Sequence, residues 1–416
     1  MLVEIIIFLL VGIFFGIITG LTPGIHINLI GSLLVEGAYL FNSVSPLYFS
    51  VLIVAMAITH TFVDFIPSVF LGCPDTDTEL SALPGHEMLK KGLGYEAVNL
   101  TLYGGLAAMV ILIFIFYPSI KLIPLVYNQF IGYIPYLLII ISLILLFSEK
   151  NKFASFIVFI LTGFLGYFVL NLTNLNEPLL PLLTGLFGAS LLISSINLNT
   201  KIPKQKITKI KLNYKRPLIG AMIAAPVCSF LPGLGSGQAA VIGNMLLKTD
   251  KKGFLFLLGA TNTIVMGFSF ITLYLFSKTR TGAAAAIKEI SGTFNLNILI
   301  LFFGVIIISS LIDFFITKKL AKIASEKIDR INYKKISIAT LIILTIIILL
   351  VSHIIGLFIF VISTLTGIYC GSFKIRRINM MGCLLIPTII LYFFKENFYF
   401  QRILQYVLLC LYNLFQ

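Results

Sequence analysis

His60 and Asp64 stand four residues apart inside an apolar run, so on a helix their side chains share one face. An ionisable pair held in hydrocarbon is costly and marks a path for protons or cations. The chemistry on offer is proton exchange or cation coordination, with Asp64 the principal group and His60 beside it. His60 belongs to Thr59-His60-Thr61, and the pattern returns about 200 residues later as Thr261-Asn262-Thr263. That second copy has Asn262 and Met266 where the first has His60 and Asp64. Only the first copy therefore titrates.

A second pair of segments differs more sharply. Asp75-Thr76-Asp77-Thr78 corresponds to Lys278-Thr279-Arg280-Thr281. Two uses stay open for these charges. They could pair with each other as a gate, or Lys278 and Arg280 could hold an anionic substrate while Asp75 and Asp77 serve a cation. Arginine suits the second use, since its planar fork matches a carboxylate or phosphate.

Upstream of each Thr-rich segment lies a Pro-Gly loop. The first is Thr22-Pro23-Gly24 with His26 and Asn28 following, and the second is Pro232-Gly233-Leu234-Gly235-Ser236 with Gln238. Proline and glycine end a helix, and a helix that restarts presents unpaired N–H groups and a positive dipole end to an anion. Thr22, His26, Asn28, Ser236 and Gln238 add side-chain donors, and Thr59, Thr61, Thr261, Asn262 and Thr263 complete the expected lining. Asp313, close to Lys318 and Lys319, reads as part of a surface ion pair, and His353 as an outer-turn residue.

The elements that position these groups must be membrane helices. Of 416 residues, 59% are hydrophobic and 11% charged, with mean hydropathy +1.05. That composition belongs to a polytopic membrane protein. The net charge of +14 does not point to nucleic acid, because the basic residues sit in short loops at 201–216, 318–335 and 374–377. Such loops face the cytoplasm and also meet anionic lipid head groups. Apolar runs are read at 46–72, 95–117, 133–148, 153–171, 179–197, 253–277, 295–317, 336–352, 354–371, 378–394 and 398–415.

Residues 1–45 and 217–247 read instead as pairs of shorter arms joined at Pro-Gly, hence as re-entrant helical hairpins. Counting lysines and arginines sets 95–117 and 295–317 in opposite directions. The expected fold is an all-α polytopic cell-membrane protein with an inverted-topology repeat, two re-entrant Pro-Gly hairpins and about 11 further transmembrane spans. Residues 1–197 form the first repeat, 198–216 a basic cytoplasmic linker and 217–416 the second repeat.

Other chemistry finds no pattern. Cys73, Cys228, Cys370, Cys383 and Cys410 are scattered and read as small apolar residues, not metal ligands. The apolar start lacks the basic segment of a cleavable signal peptide. There is no GxxxxGK[ST] motif, and Gly235-Ser236-Gly237 lacks the esterase elbow. Neither an enzyme nor a bound cofactor is expected; the ligands implied are a small anion and a coupling Na+ or H+.

Gly72-Cys73-Pro74, then Leu83-Pro84-Gly85-His86-Glu87-Met88-Leu89-Lys90-Lys91-Gly92, together with Leu231-Pro232-Gly233-Leu234-Gly235, resemble signatures of a known family. The chain is similar, over roughly residues 10–290, to the large permease subunit of tripartite tricarboxylate transporters, the TctA family. The resemblance implies an inverted-repeat uptake permease for di- or tricarboxylates, driven by an ion gradient. It also implies a small membrane subunit and an extracytoplasmic binding protein as partners. This chain is shorter than the usual subunit, and it carries Asp75 and Asp77 where the family has small residues. Acidic groups there work against a citrate-like anion. The rival reading is a translocase for a polyprenyl-phosphate lipid carrier, whose phosphate head would suit Lys278 and Arg280. An enzyme acting on lipid phosphate is a weaker rival, because neither His60 nor His86 sits in a phosphoryl-transfer motif.

Overall fold

In a bilayer a helix satisfies its own backbone groups, so long apolar runs have one available structure. The computed structural model describes residues 2–22, 31, 34–35, 44–71, 79–196, 202–208, 214–328, 333–373 and 375–396, and no strand occurs among them. The expectations placed on Pro23, Gly24, His26, Asn28, Asp75, Asp77 and the run 398–415 lie outside the described residues.

The helices are, in order, α1 (Leu2–Leu21), α2 (Pro46–Leu71), α3 (Glu79–Lys90), α4 (Gly94–Phe130), α5 (Ile134–Phe147), α6 (Lys152–Leu170) and α7 (179–196). There follow α8 (Lys215–Phe230), α9 (Ser236–Leu246), α10 (Lys251–Phe276), α11 (Gly282–Ser291), α12 (Leu296–Lys327), α13 (Tyr333–Ser372) and α14 (Gly382–Glu396). Seven described helices are long and apolar enough to cross a membrane: α1, α2, α4, α6, α10, α12 and α13. The runs read at 133–148, 179–197 and 378–394 are apolar helices shorter than a straight crossing needs. The runs 336–352 and 354–371 adjoin within α13, whose helical path breaks at His353 (φ 55°, ψ −159°).

Depth of burial sorts the helices. The most apolar stretch of α2 is wholly buried and that of α10 is 94% buried, against 28% for α1, α4 and α13. These two form the inner pair, and they carry the Thr-His-Thr and Thr-Asn-Thr segments. Lipid offers no hydrophobic drive between helices, so close approach relies on small residues. A Cβ on Gly104 of α4 would lie 2.1 Å from the Phe256 carbonyl oxygen of α10, and one on Gly259 of α10 would lie 2.1 Å from that of Thr101. The two backbones touch.

The first arm of the expected 1–45 hairpin differs from its reading as a short segment. α1 is a continuous helix of 20 residues, because Gly12, Gly16 and Gly20 seat it on α2 and do not break it. A Cβ at Gly16 would lie 2.5 Å from Cβ of Thr59. In the second half the arms are short: α8 has 16 residues and α9 has 11. Leu231 is extended and Gly233 takes φ +74°, a conformation that glycine adopts without Cβ strain. Gly220 and Gly243, at similar distances from this turn, pack backbone to backbone, so α8 and α9 form an antiparallel hairpin.

Polar clasps fasten the helix ends. Lys252 pairs with Glu96 at 2.5 Å, and Lys251 pairs with Glu87, tying α10 to α4 and α3. Residues 202–208 lie along the same corner: Gln205 Oε1 accepts from Gly94 N–H at 2.8 Å, and Thr208 donates to Glu96 at 3.0 Å. Arg376 pairs with Glu149, while Asn379 Nδ2 donates to Glu149 at 3.2 Å.

Candidate functional site

The central polar groups come from α1, α2 and α12. Thr59, fully buried, donates its hydroxyl to Oδ1 of Asp313 at 2.9 Å, sharing the proton with the Ala55 carbonyl at 2.9 Å. His60 Nδ1 meets Thr19 Oγ1 of α1 at 3.1 Å. Asp64 is 4% exposed and His60 5%, so both expected ionisable groups are inside the helix bundle. Thr22, at the end of α1, donates to the Ile18 carbonyl at 2.7 Å.

Asp313 corrects the sequence reading. It is 0% exposed and bonds to Thr59, where a surface pair with the following lysines was expected. The turn of helix between Asp313 and Lys318 rotates the lysine away: its Nζ lies 5.9 Å from the Tyr103 ring centroid and 5.5 Å from that of Phe314. Ser309, Ser310 and Thr317 are 0% exposed too, and at spacings of three and four they flank the carboxylate on α12. Their hydroxyls and Asp313 Oδ2 have no hydrogen-bond partner among the described residues. The signal was present as Ser309-Ser310…Asp313…Thr317, a polar stripe at helical period in an apolar span.

On α10 the Thr-rich segment touches its counterpart. Asn262 Nδ2 lies 3.5 Å from the Thr61 carbonyl oxygen, and a Cβ at Gly105 would wedge between the Phe62 ring and Thr263 Oγ1. Thr261 donates to Leu258 at 3.0 Å and Thr263 to Gly259 at 3.3 Å, both within the helix. Thr61 likewise donates to Ile58 at 2.7 Å.

Past the end of α10, Ser277 takes a left-handed conformation (φ 52°) and turns the chain back. Arg280 then donates through Nη2 to the carbonyl of Phe230, the last residue of α8. A cation at a helix C-terminus is favoured by the orphan carbonyls and the dipole there. Arg280 Nε is buried and has no hydrogen-bond partner among the described residues. Lys278 donates to the Tyr127 hydroxyl at 2.6 Å and sits 5.0 Å from that ring's centroid.

Arg280 therefore closes the end of α8, while Lys278, two residues earlier, holds Tyr127 of α4. Phe230 anchors the same corner, with ring centroids 5.9 Å from Phe268 and 6.5 Å from Phe276. At the start of α9 the Gly235 N–H donates to Gln238 Oε1 at 2.9 Å, while the buried Nε2 of Gln238 is unpartnered among the described residues. Ser236 is buried, and Pro232, Gly233 and Gly235 are half-buried in the turn.

Outside the spanning helices, α3 carries two perturbed groups. The hydrogen bond from Lys251 holds the Glu87 carboxyl below the usual range. Burial, seconded by Lys90, pushes His86 below its ordinary value. Among the described residues, no group of three or more His, Cys, Asp or Glu is placed to hold a metal ion.

Residues 6–382 match the family model described as "Tripartite tricarboxylate transporter TctA family". An uncharacterized protein of Methanocaldococcus jannaschii is 33% identical over 415 residues, covering 94% of this chain and 99% of its own length. No solved structure matches.

Proposed function

The chain belongs to the tripartite tricarboxylate transporter TctA family, and we propose that it is the permease: a secondary active transporter for a small organic anion, a di- or tricarboxylate, driven by a proton or sodium gradient. The observation that carries this reading is Arg280 at the turn of the α8–α9 hairpin. Its Nη2 holds the end of α8 while its buried Nε stays unpartnered among the described residues. A guanidinium kept there with an open donor suits a carboxylate. Lys278, two residues before Arg280, and the N-terminus of α9 after the turn add positive potential, and the Gln238 amide adds a donor. Pro232, Gly233, Gly235 and Ser236 let an anion approach the backbone.

The two halves act in this reading as inverted repeats, 1–197 and 217–416, joined by the linker 198–216. Support comes from the crossed packing of α2 with α12 and of α4 with α10, which a pseudo-two-fold axis between halves would produce. Pro23, Gly24, His26 and Asn28 share in binding the anion in this reading, together with Thr59, Thr61, Thr261, Asn262 and Thr263. His60 and Asp64 serve the coupling ion, and Asp75 and Asp77 assist them. The halves rock about this centre to open it to either side of the cell membrane. A small membrane subunit and an extracytoplasmic binding protein complete the transporter, as the family's description as tripartite supports.

Thermal stability of the purified protein with citrate, succinate or inorganic phosphate tests the anion site. Carboxylates raise the melting temperature of the wild type, and Arg280→Ala abolishes the rise. Stabilisation that is the same in Arg280→Ala and wild type removes Arg280 from the site. Stabilisation by a polyprenyl phosphate alone removes the carboxylate reading.

A further inference from the structure

A hydroxyl has one proton, and Thr59 has two oxygens within reach of it. Its Oγ1 lies 2.9 Å from the Ala55 carbonyl oxygen and 2.9 Å from Oδ1 of Asp313. The first contact is the ordinary return bond of a threonine to the carbonyl one turn back. With Asp313 ionised, both neighbours are acceptors only, and one proton split between them gives neither a full bond. With Asp313 protonated, both contacts become complete hydrogen bonds. The acid O–H donates to Thr59 Oγ1, and the Thr59 O–H stays on the Ala55 carbonyl.

Charge leads to the same state. A carboxylate inside a helix bundle needs a cationic side chain, a bound ion or a proton. Asp313 is 0% exposed and has no ion pair among the described residues. The charged and titratable groups on the helices packed against it are turned to other partners. His60 of α2 meets Thr19, and Glu96 of α4 pairs with Lys252 of α10. Tyr103 of α4 packs on Phe314, ring centroids 5.2 Å apart, and Lys318 lies at those same two rings. Asp64, five residues after Thr59 on α2, is a second acid and brings no positive charge. Oδ2 of Asp313 is without a hydrogen-bond partner among the described residues, which costs a neutral acid less than a charged one.

We infer that Asp313 of α12 is a proton-binding site with Thr59 of α2 as its hydrogen-bond partner. The proton comes from water and returns to it, and no other covalent bond changes. On its release Thr59 must turn its hydroxyl from Ala55 toward Oδ1, so α2 registers the state of α12. The role of this proton as the coupling ion rests on the transporter reading above, but its binding does not. The test is infrared spectroscopy of the detergent-purified full chain, its aspartates isotope-labelled at the side-chain carboxyl carbon. Acid and carboxylate forms absorb at different frequencies and are read separately. At neutral pH, Asp313→Asn should lose an acid C=O band that the wild type has. Its amide N–H can replace the acid O–H as donor to Thr59, so the variant should fold. A loss of carboxylate bands alone overturns the site. Thr59→Val leaves Asp313 in place and should shift the acid band, because the O–H loses its acceptor; an unmoved band overturns the pairing. Carboxylate uptake by a protein without the acid band would sink this inference and leave the permease reading standing; the band without uptake of any carboxylate would do the reverse.

Discussion

The hydroxyl of Thr59 and the carboxylate of Asp313 meet at 2.9 Å, joining the inner helix α2 to α12 where both side chains are fully buried. This single bond links the segment that carries the Thr-His-Thr pattern to an acidic group from the second half of the chain.

Thr59→Val keeps the shape and removes the donor. Asp313 Oδ1 is then left without it, at a cost of about 1–3 kcal/mol. Thr59→Ser retains the bond and should lie near the wild type. Melting temperatures of the two variants, measured side by side, separate the loss of the hydroxyl from loss of packing. Equal stability of the two would show that the bond contributes nothing.

Gly104 and Gly259 set the contact between α4 and α10. Each faces a carbonyl oxygen that a Cβ would approach to 2.1 Å, well inside van der Waals contact. Gly104→Ala and Gly259→Ala are each expected to destabilise by about 1–3 kcal/mol through backbone displacement. Because one displacement relieves both clashes, the double variant should cost less than the two singles added together. Chemical or thermal denaturation of all three measures the coupling. Strict additivity would contradict a shared contact.

Arg280 should not tolerate lysine. An ammonium can reach either the Phe230 carbonyl or a substrate carboxylate, whereas the guanidinium serves both. Arg280→Lys raises KM for the transported anion at least about threefold and Arg280→Ala at least about tenfold, roughly 1.4 kcal/mol. A variant with unchanged KM and reduced maximal rate would move Arg280 from binding to the conformational step.

His86 gives a pH signature away from the membrane core. Burial holds its folded value below the ordinary 6.5, so the folded state binds fewer protons than the unfolded one. Stability is then present above about pH 6.5 and declines as pH falls through that region. His86→Gln should flatten this part of the stability–pH curve. The Glu87 carboxyl, held low by Lys251, acts in the same direction at lower pH, where protonation removes the pair; that pair is exposed and its contribution small.

The helices were legible because an apolar run in lipid has little choice of structure. Boundaries such as those of α6 and α10 fall within a few residues of the hydropathy edges. The α8–α9 turn was legible too, since Pro232-Gly233 cannot continue a helix. α1 stops at Leu21, just before Pro23-Gly24, but at 20 residues it is longer than the short, glycine-rich arm that was expected, because its glycines pack against α2. α12 runs on to Lys327, past the apolar edge at residue 317, because lysine-rich sequence is still a good helix former.

The site was only half legible. Lys278 and Arg280 were visible as charges against expectation in a duplicated segment, but nothing in the sequence pointed to Tyr127 or the Phe230 carbonyl as their partners. Asp313 was misread because residues near in sequence, Lys318 and Lys319, were given more weight than helical phase. Phase turns those lysines aside and aligns Asp313 with Ser309 and Thr317. Its bond to Thr59 spans most of the chain, and no local pattern encodes that distance.

As a permease, the protein moves an organic anion along an imposed ion gradient through a site that includes Arg280. The most direct measurement is uptake of radiolabelled citrate and succinate into liposomes containing the purified chain, under imposed sodium or proton gradients. Wild-type protein should accumulate at least one of them above empty liposomes, collapse of the gradient should abolish that uptake, and Arg280→Ala should strongly reduce it. Accumulation that ignores both gradients, or that Arg280→Ala leaves intact, would contradict the account.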